Sequence, residues 1–164
     1  MIGGVERVTR STEETEGLGA ALAPALRTGD VLALCGPLGA GKTRFVAGLA
    51  RGLACKARVR SPTFALLHEY HGRILLAHLD FYRLEGGEAE GLGLEEYAER
   101  AALVVEWGEK LAASWLWVAL RLDFAPGADP RERRIAARAE GERGRALLAA
   151  WSALAVAPWP RSGA

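Results

Sequence analysis

Asparagine and glutamine are both absent from this 164-residue chain. Without asparagine, the Asn-Lys-x-Asp motif with which GTPases read guanine is impossible in its standard form. Lysine occurs only at Lys42, Lys56 and Lys110, so 21 − 3 = 18 of the basic residues are arginine. Scarce thermolabile amides can mark a thermophile, and a GC-rich genome would leave the same Ala, Arg, Gly and Leu bias. Neither sign of charge dominates: a net charge of +1 gives no global reason to hold nucleic acid or an anionic membrane. No apolar run approaches the ~18 residues of a membrane span. The first residues carry no apolar h-region, so no signal peptide is expected, and the expected compartment is the cytoplasm. The two cysteines, Cys35 and Cys55, show neither metal-ligand spacing nor a disulfide framework. Cys35 ends an apolar run and is expected to be a small core residue.

What is present describes an ordinary globular protein, half hydrophobic and one quarter charged. The length suits one domain over residues 1–164, with 155–164 expected as a frayed tail. Short strands are expected at 5–10, 31–35, 101–107 and 115–124, and a hairpin over about 64–80 turning at His71-Gly72. Ser and Thr caps followed by acidic residues open a helix over 11–27. Residues 42–53 have helical spacing, with Phe45, Val46, Leu49 and Leu53 on one side, and a C-terminal helix is expected over 143–155. A short helix follows the loop within 85–100. In 115–124 the residues Leu116, Val118, Leu120, Leu122 and Phe124 should share one face, and 131–140 alternate back after a turn. The order of strand, Gly-rich loop, helix and further strands indicates an α/β fold. The hairpin argues against a purely parallel sheet, so the expectation is a P-loop NTPase-like mixed sheet with helices on both faces.

Gly36-x-x-x-x-Gly41-Lys42-Thr43 fits the P-loop pattern in full, between an apolar run and a helical one. Glycines let the backbone curl so that successive N–H groups face the phosphates, and the following helix adds its positive end. Gly36, Leu38, Gly39, Ala40, Gly41, Lys42, Thr43 and Arg44 are the expected nucleotide contacts. Lys42 would reach the β- and γ-phosphates, and the Thr43 hydroxyl would bind Mg²⁺. Two carboxylates, Asp80 and Glu106, stand directly after apolar runs, at strand ends where an open α/β sheet binds its ligand. One of them would hold the metal and the other would orient the attacking water, with the assignment open.

Three further features are weaker. Pro62 keeps "SPTF" extended, so Ser61 and Thr63 could reach over a γ-phosphate, or simply enter a strand. Trp107 would sit on the rim of a site containing Glu106, or pack as an ordinary half-buried indole. Arg131, Arg133, Arg134 and Arg138 look like an RNA patch, but alternation splits them between two faces, and a solvated face is the simpler account. One of them could contact the nucleotide.

"GPLGAGKT" (36–43), "SPTF" (61–64), "HLDFYRL" (78–84) and "VVEW" (104–107), in this order and spacing, resemble the TsaE (YjeE) family over about residues 10–140. The resemblance implies a P-loop α/β fold, ATP with Mg²⁺, and work beside the TsaB–TsaD pair, which places threonylcarbamoyl on the adenosine next to the tRNA anticodon. It implies tRNA contact only through that complex, and no membrane. It assigns phosphate and metal to Lys42 and Thr43, metal to Glu106, and hydrolysis to Asp80 and Thr63. Ser11, Thr12 and Arg134 match the segment before the first helix and the late arginine that contact nucleotide in the family. Pro37 and "EWGEK" depart from the family's polar loop residue and its Glu-Trp-Pro, and residues 141–164 find no support in the resemblance. A small P-loop kinase with an unknown acceptor and a nucleotide-gated binding module remain open beside this assignment. Metabolite-dependent ADP release would mark the first, and docking that works equally with a non-hydrolysable analogue the second.

Overall fold

The computed structural model describes residues 2–63, 65–85, 88–111 and 118–158. β2 (Val31–Cys35) and β5 (Ala102–Glu106) are buried at every position, as continuous apolar runs covered on both faces should be. They lie inside a sheet of seven strands among the described residues, ordered β1-β7-β6-β2-β5-β4-β3. Here β1 is Ile2–Thr9, β3 Leu67–His71, β4 Leu75–Asp80, β6 Val118–Pro126 and β7 Arg133–Ala139. β6, β2, β5 and β4 run parallel, and antiparallel β7 and β3 flank them. The mixed α/β sheet expected from the sequence is therefore present.

Helices cover both faces, unequally. α1 (Thr12–Leu22), α2 (Lys42–Gly52) and α4 (Gly141–Ala153) bury Leu18, Leu22, Phe45, Leu49, Leu147 and Trp151 against one face. The short α3 (Leu94–Ala98) covers Val31, Leu79, Leu103 and Val105 on the other. α1 stops at Leu22, short of the expected 27, and a single 3₁₀ turn over Ala23–Ala25 follows. Pro24 has no N–H to continue the ladder. Its start is capped twice: the Ser11 hydroxyl accepts from Glu14 N–H at 3.0 Å, and Glu14 Oε2 accepts from Arg10 N–H at 2.6 Å. Past α4, Leu154 and Val156 still pack against the core, so fraying does not begin at residue 155. Residues 159–164 of the expected tail, like Leu116 and Phe64, lie outside the described residues.

Val118 departs from the face expected for it. The β2–β6 register slips between Val31↔Val118 and Leu32↔Leu120, so Val118 joins the α3 side while Ala119 and Leu120 join the other. Both cysteines are buried and free, and burial pushes the Cys35 thiol up to about 12. No described helix is long and apolar enough to cross a membrane.

α1 and α2 approach at backbone contact distance, through Gly19 and Gly48. A Cβ on Gly48 would fall inside the Glu16 carbonyl, and one on Gly19 would collide with that of Phe45. This contact sets the start of α1 beside the loop before α2. Gly48→Ala is expected to destabilise the fold by about 1–3 kcal/mol through overpacking. A urea midpoint equal to that of the unaltered protein would show that the helices can separate freely.

Candidate nucleotide-binding site

β2 ends at Cys35, and the loop that follows wraps back to Gly41, which caps α2 at φ 99°. Gly36 has φ 139°, and a Cβ there would stand 2.5 Å from the Phe124 carbonyl oxygen, so glycine is required where the loop leaves the sheet. Above the loop lies a cavity of about 820 Å³. Leu38, Gly39, Ala40, Gly41, Lys42, Thr43 and Arg44 form its floor. Ser11, Thr12, Ser61, Thr63, Asp80, Glu106 and Trp107 also line it. Gly36 lies beneath the cavity rather than in its lining.

The β4–β5 pairing places Asp80 opposite Glu106, and the β2–β5 pairing places Glu106 opposite Leu34. Both carboxylates thus emerge at the carboxyl edge of the sheet beside the loop, although each is nearly buried. Their surroundings differ. Glu106 accepts from the Thr43 hydroxyl, 2.9 Å from Oε1 and 3.0 Å from Oε2. Asp80 Oδ2 accepts from Thr63 at 2.9 Å and Ser61 at 3.1 Å, and its Oδ1 accepts from Tyr82 N–H at 2.8 Å. Ser61 and Thr63 are themselves 2.7 Å apart. The "SPT" segment, turning at Pro62, whose carbonyl accepts from Ala65 and Leu66 N–H, therefore meets the Asp80 carboxylate.

Lys42 is 5 % exposed. Its ammonium donates to the carbonyls of Gly36 and, at 3.2 Å, Pro37, and stands 4.2 Å over the Trp107 ring. Burial holds its pKa below the ordinary lysine value, opposed by the charges of Glu106, Glu109 and Asp80. Trp107 sits at φ 58°, a left-handed conformation unusual for a bulky residue, and its ring stacks 5.1 Å from Tyr82. After it, Gly108–Lys110 form a 3₁₀ turn whose Glu109 accepts from Gly36 N–H at 3.3 Å. That turn is the local structure adopted by "EWGEK".

Arg134, the late arginine expected at the nucleotide, does not line the cavity. Arg134 lies on the sheet face away from α1, α2 and α4, 3.4 Å from Glu6 and 3.8 Å from Glu132. Arg133 lines the cavity instead and donates to the Gly39 carbonyl at 3.4 Å. Ser11 and Thr12 do line it, although the Ser11 hydroxyl is engaged as the α1 cap.

His78 was not singled out from the sequence, and it is wholly buried with Nε2 2.6 Å from Glu106 Oε2. Its Nδ1 has no partner among the described residues, so the ring spends its one bond on Glu106. Two residues before Asp80 on a strand, it shares that residue's face, and this period was the available signal.

No group of three or more His, Cys, Asp or Glu able to hold a metal occurs among the described residues. Thr43 and Glu106 offer hard oxygen donors, and one or two such groups, completed by phosphate and water, are what Mg²⁺ takes. The donor set fits that ion.

Residues 9–135 match the family model described as threonylcarbamoyl adenosine biosynthesis protein TsaE. A protein of Treponema pallidum (strain Nichols) named tRNA threonylcarbamoyladenosine biosynthesis protein TsaE is 44% identical over 108 residues, 65% of this chain and 80% of that one. Its namesake in Bacillus subtilis (strain 168) is 39% identical over 137 residues, 82% and 85% of the two chains. The crystal structure of YdiB from the same species superposes with a TM-score of 0.77 at 32% identity, covering 93% of this chain and 96% of that one.

The bond from His78 to Glu106 is expected to couple the two residues energetically. A double-mutant cycle with His78→Leu and Glu106→Leu, read by urea unfolding, should give an interaction of about 1–3 kcal/mol. Additive losses would mean that Glu106 does not depend on the imidazole.

Proposed function

Because the chain belongs to the TsaE family, and so has a role in the threonylcarbamoyladenosine modification of tRNA, we propose that it is the ATP-hydrolysing component of that system, driving or resetting the TsaB–TsaD threonylcarbamoyl transferase. Residues 1–164 work as one Mg²⁺-dependent ATPase domain in the cytoplasm, weak alone and stimulated by the pair. The observation that carries this is the pair of adjoining carboxylates at the strand ends, one bound to the P-loop threonine and the other to the "SPT" hydroxyls.

The loop N–H groups and the start of α2 hold the phosphates. Lys42 exchanges the Gly36 and Pro37 carbonyls for phosphate oxygens, a trade of neutral acceptors for charged ones. Thr43 and Glu106 would hold Mg²⁺, which would supply neutralisation of charge on the phosphates. Asp80 retains acceptor capacity beyond its three hydrogen bonds, and with Thr63 it orients water for attack at the γ-phosphorus. The water's proton is drawn toward the carboxylate as the bond to ADP breaks, leaving inorganic phosphate. Ser11, Thr12 and Arg133, which line the same cavity, would meet the nucleoside.

tRNA is reached only through the pair. The arginines on the face away from α1, α2 and α4 are matched by carboxylates: Arg134 by Glu6, and Arg138 by Asp123 at 3.8 Å. That mixed surface offers no cationic track for a nucleic acid.

Lys42→Ala is expected to weaken ATP binding roughly 10–100-fold and abolish turnover. Glu106→Ala should lose the Mg²⁺ dependence of binding, whereas Asp80→Ala should keep binding and lose hydrolysis. Titration of a fluorescent ATP analogue across a Mg²⁺ series separates the two roles. If neither change alters metal dependence or turnover, both carboxylates are structural. ADP release should rise with the TsaB–TsaD pair and not with a pool of small metabolites; the reverse would make the protein a kinase.

A further inference from the structure

A second groove, of about 420 Å³, adjoins the nucleotide cavity and shares Thr43, Arg44 and Ser61 with it. It lies between the first turns of α2 and the segment 58–61. Its charged lining is entirely basic: Arg44, Arg58 and Arg60, beside the hydroxyls of Thr43 and Ser61. Several other guanidinium groups, the groove's own Arg44 among them, are matched by carboxylates: Arg44 and Arg51 meet Glu16, Arg121 meets Asp123, and Arg143 meets Asp30. Among the described residues, no carboxylate forms an ion pair with Arg58 or Arg60.

These two arginines are nonetheless carried on a pinned backbone. The hydroxyl of buried Tyr70 accepts from Arg60 N–H at 3.1 Å and lies 3.2 Å from the Arg60 carbonyl, to which it can donate. His68 Nδ1 is 3.2 Å from that same carbonyl. The fold has ordered the segment before any ligand arrives, which lowers the entropy cost of binding there.

We propose that this groove is the docking site for a short acidic segment of a protein partner, whose carboxylates are gripped by Arg58 and Arg60. This rests on the assignment above that the chain works on a partner pair. Guanidinium forks take carboxylate and phosphate alike. A nucleic acid strand, however, is held through a long basic stripe, with ~6–10 phosphate contacts in a typical case. Here the groove ends after three arginines, one already facing Glu16, on a chain of net charge +1. Two or three carboxylates fill it. The position also supplies a consequence for the ATP site. Ser61 follows Arg60 directly, and Ser61 and Thr63 both donate to Asp80. A partner that grips residues 58–60 pulls on the hydroxyls that set the hydrolytic carboxylate.

The test uses the full chain with Arg58→Glu and Arg60→Glu together, both exposed positions where folding is safe. Affinity for the TsaB–TsaD pair in the presence of ATP should fall about tenfold or more. Stimulated ADP release should fall with it, while ATP affinity and basal turnover stay unchanged. Equal binding by both proteins overturns the groove and leaves the partner assignment standing. If the unaltered chain does not bind the pair, the partner assignment fails, and a hexaglutamate peptide then tests the groove itself. Binding that is lost in the double variant supports it, and no difference overturns it. A tRNA transcript forms the last arm: transcript binding that depends on both arginines would show an RNA site and overturn the acidic-segment proposal.

Discussion

Three ionisable side chains, Lys42, Asp80 and Glu106, crowd the same edge of the sheet with 5 % exposure or less. Charges taken out of water cost several kcal/mol each unless they are paired or hydrogen-bonded. Here no direct ion pair joins the lysine to either carboxylate among the described contacts. Each is satisfied separately: Lys42 by loop carbonyls and the Trp107 face, Glu106 by Thr43 and His78, Asp80 by Ser61, Thr63 and Tyr82 N–H. Much of the fold serves that arrangement. The parallel strands bring both carboxylates to one edge, and the Gly19–Gly48 contact sets α1 against the loop.

The same arrangement explains an unusual backbone. Trp107 carries a bulky side chain at positive φ, which costs on the order of 1–3 kcal/mol and persists only where neighbours enforce it. Tyr82 stacks on one part of the ring and Lys42 lies over it. Gly108 packs so closely on β2 that a Cβ would stand 2.7 Å from that of Ala33. Lys110 then ties the turn to the carbonyls of Tyr82 at 2.7 Å and Leu84 at 2.9 Å. Arg58 and Arg60, with no ion pair among the described residues, precede Ser61 at the other end of the segment that reaches Asp80.

The loop was legible in the sequence because its chemistry needs contiguous residues, and Gly36 to Thr43 stand together. Asp80 and Glu106 were legible because each closes an apolar run that could only be a buried strand. Which late arginine lines the cavity was not legible, because alternation gives two faces but not which one looks inward. That parity is fixed by pairing with β1, where Arg134 stands opposite Val8 and Arg133 opposite Thr9. Val118 failed for a related reason, since a register slip is invisible in a hydrophobic pattern. His78 looked like any polar residue in a strand; its role appears only once β4 lies beside β5 and the imidazole finds Glu106. The basic groove needed tertiary structure too, because Arg44 is separated from Arg58 and Arg60 by the rest of α2.

The central claim is that hydrolysis here is spent on a partner rather than on a substrate held by this chain. The most direct measurement is threonylcarbamoyladenosine formed on tRNA over many turnovers by the TsaB–TsaD pair. ATP is supplied throughout, with this protein added, omitted, or replaced by its Asp80→Ala form. The account predicts sustained product formation only with the unaltered protein, and formation stalling near one round with the other two. Equal product in all three would contradict it, however well the site binds ATP.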